Sequence, residues 1–226
     1  MLLLLFLTAC TAIKQLNTNG PGWYIVKPSD TLYSVAWRYG LDFQQLAAWN
    51  EISEPFLIKP GQQLTLLKTA KKPSKTDSGT INAPNNLKKS VVVVKPLTPS
   101  YNRAILWRWP TQGKLINRFS IKALDRRGID IAGKVGQPIY AVADGKIVYS
   151  GTGLSSYGNL IIVKHDNTYL SAYAYNSNRL VQEGNIVKRG AHIADMGRGK
   201  GAKPMLHFQI RKKGKSVDPL LYLPIK

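Results

Sequence analysis

Three histidines (His165, His192 and His207) and one cysteine (Cys10) are all the imidazole and thiol groups this 226-residue chain has for metal binding or proton transfer. A single cysteine excludes an intrachain disulfide framework and any cysteine-rich zinc module. A catalytic zinc needs three protein ligands and a group that takes the proton of the attacking water, so three scattered histidines leave little room for such chemistry. The stretch Gly197-Arg198-Gly199-Lys200-Gly201 has the composition of a phosphate loop but lacks the G-x-x-x-x-G-K-[ST] spacing, and it reads as a flexible loop ahead of a strand at Leu206. His165, at a strand end, reads as structural, and His192, in a turn–strand segment, as a surface residue.

The net charge is +20, with 32 Lys and Arg against 12 Asp and Glu. It is unevenly placed. Residues 22–67 hold three basic and four acidic side chains, residues 68–103 eight and one, and residues 104–226 twenty and seven. Such a patch attracts polyanions in general: nucleic acid, anionic lipid, wall phosphates or an acidic protein. The chain opens with a run, Leu2 to Leu7, too short to span a bilayer. Leu7-Thr8-Ala9-Cys10 resembles a bacterial lipoprotein signal, which implies a leader over residues 1–9 and lipid attachment at Cys10, and so a membrane anchor. Thr11, in place of Asp, implies delivery to the outer membrane, on its periplasmic face. An export signal and the lack of any recognition motif exclude nucleic acid as a partner.

The elements follow from periodicity and caps. Tyr24–Val26 reads as a strand, and Ser29 or Asp30 as the N-cap of a helix whose apolar face is Leu32, Val35, Ala36 and Tyr39. Gly40 stops that helix, and Asp42 caps a second one that ends before Asn50. Pro60-Gly61 turns into a strand from Gln63 to Leu66. This β-α-α-β order over residues 22–67, with Ser29-Asp30-Thr31-Leu32 beside the usual Gly-Asp-Thr-Leu, resembles the LysM domain. The resemblance implies binding of N-acetylglucosamine polymers, the glycan strands of peptidoglycan, by Asp30, Thr31, Leu32, Phe56, Leu57, Ile58 and Pro60. Residues 68–103, rich in Lys, Pro, Ser, Asn and Thr, cannot bury enough apolar surface to order themselves and read as a basic disordered linker. Within it, Val91–Val94 is the one candidate edge strand.

From Trp107 onward, short β runs separated by glycine turns indicate an all-β sandwich or open barrel. The runs are Lys146–Tyr149, Leu160–Val163, Tyr169–Tyr173, His192–Ala194 and Leu206–Ile210. Trp109-Pro110, Gly128-Ile129-Asp130-Ile131-Ala132, Ala143-Asp144-Gly145, Tyr157-Gly158-Asn159, Leu206-His207-Phe208 and Val217-Asp218-Pro219 resemble the LytM-type zinc endopeptidases, which are lysostaphin-like and share the duplicated-hybrid-motif fold. The resemblance covers residues 104–226. In that family zinc is held by H-x-x-x-D and by the second His of H-x-H, while two further histidines assist the attacking water. Here Asp130 and His207 stand at ligand positions, but Arg126 replaces the first ligand. Met205 and Tyr175 stand where the two assisting histidines would be. The resemblance therefore implies no catalytic residue, no metal and no cofactor, with an Arg126–Asp130 ion pair where the ion sits in relatives.

Lipoprotein signal, LysM domain, basic linker and degenerate LytM domain together resemble the NlpD murein hydrolase activator family. Members do not cut peptidoglycan; they switch on a periplasmic N-acetylmuramoyl-L-alanine amidase during cell separation. The implied partner groove is the former active site: Arg126, Asp130, Tyr175, Met205 and His207, with Arg211 at the strand's exit. The competing readings are an active zinc murein endopeptidase and a passive peptidoglycan-binding lipoprotein.

Overall fold

The computed structural model describes residues 22–68, 104–122 and 127–225. The leader, Cys10, the linker beyond Lys68 with its Val91–Val94 run, and Arg126 lie outside the described residues.

The first domain runs β1 (Trp23–Ile25), α1 (Leu32–Tyr39), α2 (Phe43–Trp49) and β2 (Gln63–Thr65). Its two strands pair antiparallel, Tyr24 opposite Leu64. Thr31 caps α1, rather than Ser29 or Asp30: its Oγ1 accepts the Ser34 N–H at 3.1 Å, and Ser34 Oγ accepts the Thr31 N–H at 3.0 Å. Asp30 is engaged elsewhere, accepting from the Tyr24 hydroxyl and the Lys27 N–H and pairing with Arg38. Gly40 ends α1 in the left-handed region at φ 66°, and Asp42 caps α2 by accepting from Gln44 and Gln45. Asn50 ties the end of α2 to β2: its amide donates to the carbonyls of Leu46 and Thr65 and accepts the Thr65 N–H.

The second domain is all-β. Its strands are β3 (Leu115–Asn117), β4 (Ile129–Ala132), β5 (Pro138–Tyr140), β6 (Gly145–Gly151), β7 (Asn159–Lys164), β8 (Tyr169–Arg179), β9 (Ile186–Val187), β10 (His192–Met196), β11 (Met205–Lys212) and β12 (Lys215–Val217). They form one ten-stranded sheet whose main path is β3-β4-β11-β8-β7-β6-β9; β10 joins β5 and β8, and β12 pairs with β11. All of the pairings are antiparallel. Side chains alternate across the sheet. Leu206, Phe208 and Ile210 of β11 enter one core with Ile129, Ile131, Ile161 and Tyr173. Met205, His207, Gln209 and Arg211 therefore share the opposite face.

That opposite face is covered in part by the first domain. Val148, Leu160, Ile162, Leu170, Ala172 and Ala174 pack in one apolar cluster with Leu32, Val35 and Trp37, so the two domains share a core. Polar contacts fix the seam: Thr31 Oγ1 donates to the Val148 carbonyl at 3.0 Å, and Arg38 donates to the Gly153 carbonyl at 3.1 Å. Gly214, at φ 75°, lies so close that a Cβ there would sit 2.4 Å from the Leu41 and Asp42 backbone. Only glycine permits that approach.

Arg211 belongs to this seam and not to the groove expected for it. It is buried, its guanidinium lies 3.6 Å from the Trp37 ring centroid, and it donates to the Trp37 carbonyl at 2.6 Å. Burial pushes its pKa down to about 10, which leaves it charged at neutral pH. The reason is the strand's period of two: four residues beyond His207 on the same face, the side chain has run under α1.

Candidate partner groove

Strand β11 sets the site by placing His207 opposite Asp130 on β4 and opposite Ala174 on β8. His207 Nδ1 faces Asp130 Oδ1 at 2.5 Å, and its Nε2 faces the Gln209 amide nitrogen at 2.8 Å. The Gln209 amide donates to Nε2, which fits an imidazole protonated on Nδ1 that donates to the carboxylate. The second Asp130 oxygen accepts from Asn117 Nδ2 at 2.8 Å. Both oxygens and both ring nitrogens thus have partners. Asp130 is satisfied without Arg126, whose expected ion pair lies outside the described residues.

These residues do not fit a catalytic zinc. Asp130 and His207, the two residues expected at ligand positions, supply two donor groups, one short of the three protein ligands that a catalytic zinc normally needs. No group of three His, Cys, Asp or Glu side chains converges on a metal position among the described residues. At the position expected for a third ligand the sequence has Arg126.

A cavity of about 690 Å³ opens over this pair, and Asp130, Tyr175, Met205 and His207 all line it, together with Asn117 and Lys203. Four of the six residues expected in the groove therefore meet. Arg126 lies outside the described residues and Arg211 is under Trp37. The Gly197–Gly201 stretch, expected as a flexible loop, contributes Lys200 and Gly201 to one wall: Gly201 and Ala202 turn the chain in the left-handed region, and Arg198 bridges Pro204. A Cβ on Gly199 would come within 2.8 Å of both Met205 and Tyr175, so this glycine permits their packing. Gln209 and Asn117, which hold the dyad, were not anticipated. Gln209 could have been read from its place two residues beyond His207; nothing local marks Asn117.

The other two histidines do not line this cavity. His192 bonds Asp195 at 2.8 Å on the surface. His165 is buried, Nδ1 on the Asp144 carbonyl and Nε2 on Ser171 Oγ, both at 2.7 Å, and burial lowers its pKa from 6.5 to about 4. The folded state refuses a proton that the unfolded chain accepts. Its contribution to stability is therefore full above pH 6.5, is lost as pH falls from 6.5 to 4, and loses nothing more below that. The expected loss is on the order of 3 kcal/mol. Urea midpoints at pH 7 and pH 4.5 should differ accordingly, and His165→Gln should remove most of that difference.

In the first domain the seven expected sugar contacts divide. Leu32 is wholly buried, Asp30 is held by Tyr24 and Arg38, and Thr31 caps α1 and bonds the second domain. These three are spent on the fold and the seam. Leu57 is 78% exposed, Pro60 is exposed, and Phe56 and Ile58 are half-buried, so residues 56–60 keep an open surface.

Residues 24–66 match the LysM domain and residues 125–219 match Peptidase family M23. The murein hydrolase activator NlpD of Salmonella typhimurium LT2 is 39% identical over 266 residues, covering 94% of this chain and 71% of that one. The lipoprotein NlpD/LppB homolog of Pseudomonas aeruginosa is 40% identical over 229 residues, covering 90% and 77%. Among solved structures, the catalytic domain of the antimicrobial peptidase lysostaphin from Staphylococcus simulans is 26% identical with a TM-score of 0.43, covering 50% of this chain and 91% of that one. At these identities over most of its length, the chain belongs to the NlpD family of murein hydrolase activators, a LysM domain followed by an M23 peptidase domain.

Proposed function

We propose that this chain is a lipid-anchored, peptidoglycan-binding protein of the outer membrane, facing the periplasm. In this reading it activates an N-acetylmuramoyl-L-alanine amidase during septal murein splitting and cuts nothing itself. One observation carries the proposal: the Asp130–His207 hydrogen bond closes the corner where a metal would sit, while the cavity above it stays open. Met205 cannot transfer a proton, and a phenol such as that of Tyr175 is a poor general base at neutral pH. What remains is a walled recess with an aromatic and a thioether on its floor and lysines at its rim, suited to docking a protein segment. Activation then amounts to preferential binding of the amidase's open form, which shifts its population. The first domain would hold glycan strands through the 56–60 segment, and Cys10 would carry the lipid.

Dye release from labelled sacculi tests this. The chain alone, with zinc supplied, should release nothing, and adding it to a purified periplasmic amidase should raise the amidase's rate at least tenfold. Zinc-dependent release by the chain alone would make it an endopeptidase. Glycan binding without stimulation would make it a passive wall-binding lipoprotein.

A further inference from the structure

A second cavity, of about 450 Å³, lies between the domains, and activation leaves it unused. One wall is Tyr33, Glu54 and Phe56 of the first domain; the other carries Lys146, Lys164 and Lys188 of the second. Lys164 is the unusual member. Its side chain is only 11% exposed, and its ammonium lies 5.1 Å from the Phe43 ring centroid and 5.8 Å from that of Phe56. Its acidic neighbour, Glu54, is 3.9 Å away and 73% exposed, a weak counter-ion for an amine so far out of water. Asp144 offers little more: one oxygen holds Lys188 and the other takes the Arg189 N–H. Burial lowers Lys164's pKa, Glu54 and Asp166 offset this only in part and Lys146 adds to it, so a further anion beside the amine would favour its charged form.

The cavity thus sets an aromatic wall against an amine wall. Pyranose rings lay their C–H faces on aromatic side chains, and a carboxylate on the sugar would meet the lysines. Phe56 also begins the 56–60 segment, which continues from the cavity to open surface at Leu57. The three lysines outnumber the two carboxylates of the lining, Glu54 and Asp144, and a neutral glycan has no use for the excess charge. We infer that this interdomain cleft is a composite site for glycan bearing a free carboxylate: N-acetylmuramic acid whose peptide has been removed. The inference rests on the proposed glycan-binding role of the first domain. Hydrolysis of the lactyl–alanine amide adds one water across the C–N bond; the acyl carbon becomes the lactyl carboxylate on the sugar, and the amine leaves with the peptide. The cleft reads that new charge. It recognises what an amidase makes, and it would retain the activator on strands already cut.

Fluorescence anisotropy with the full chain tests the assignment, using labelled denuded glycan, a neutral chitooligosaccharide of matched length, and peptide-bearing glycan. Denuded glycan should bind five- to tenfold more tightly than the neutral oligomer, and the preference should shrink at high salt. Lys146→Gln with Lys188→Gln should erase the preference while leaving the neutral oligomer within twofold. Equal binding of the denuded and neutral glycans by the unmodified chain would overturn the inference alone. Tightest binding of peptide-bearing glycan, lost in the lysine variant, would overturn it by assigning the lysines to the stem peptide. If no glycan binds at all, the reading of the first domain fails, and the inference with it.

Discussion

Replacing Trp37 by alanine is expected to cost about 3–5 kcal/mol of unfolding free energy, among the largest losses available to a single substitution in this chain. Trp37 is among the largest fully buried side chains, and it sits in the core that the two domains share. Its loss leaves a cavity under α1. It also removes the aromatic face 3.6 Å from the Arg211 guanidinium, leaving a buried charge held by the residue-37 carbonyl and the Tyr157 side chain. A stacked, desolvated cation of this kind contributes about 2 kcal/mol, and stranding it costs more than the contact itself is worth. Arg211→Met should behave differently: it removes the charge, keeps most of the stem, and should fall within about 1.5 kcal/mol of the parent. Urea unfolding followed by circular dichroism gives both values. Arg211→Met in the Trp37→Ala background should recover part of the loss, because the stranded charge is gone.

The second large effect concerns activation. Tyr175→Ala and Met205→Glu should each weaken binding to the amidase about thirtyfold and so remove most of its stimulation at a fixed concentration of the chain, the loss expected when an anchor at the centre of a docking site is removed or a charge is buried there. Tyr175 lies on the cavity floor in a left-handed conformation, φ 64°, with its hydroxyl donating to the Ser156 carbonyl. Met205 is 5% exposed beside it, packed on Gly199. Binding of chitooligosaccharide by both variants should stay within twofold, which separates loss of docking from loss of fold. Leu221→Ala, at an exposed residue outside the cavity, should stimulate like the parent. Stimulation that survives both cavity substitutions would place the docking surface elsewhere.

The sequence carried the first domain well because its signals are local. The helical spacing of Leu32, Val35, Ala36 and Tyr39, the glycine stop at 40 and the Asp42 cap all act within a few residues. The N-cap falls on Thr31 and not on Ser29 or Asp30, and Asp30 answers to Tyr24 and Arg38, partners that helical spacing does not reveal. The strands of the second domain were legible from alternation, and Asp130, Tyr175, Met205 and His207 do converge on one cavity. The seam was not legible. Leu160, Ile162, Leu170 and Ala172 read as ordinary strand residues, and nothing in β6, β7 or β8 says that their second apolar face meets a helix more than a hundred residues earlier. Arg211 illustrates the cost of that silence: alternation put it on the correct face of β11, and only the docked α1 explains why it is buried.

The central claim is that the cavity over Asp130 and His207 receives the amidase. Site-specific photo-crosslinking tests it most directly, with the probe at position 116, which is 40% exposed on the cavity rim, and a control probe at position 221. The account predicts an amidase adduct from position 116, none from position 221, and loss of the adduct when Tyr175 is replaced by alanine. Full stimulation with no adduct from position 116, or with an adduct only from position 221, would contradict it.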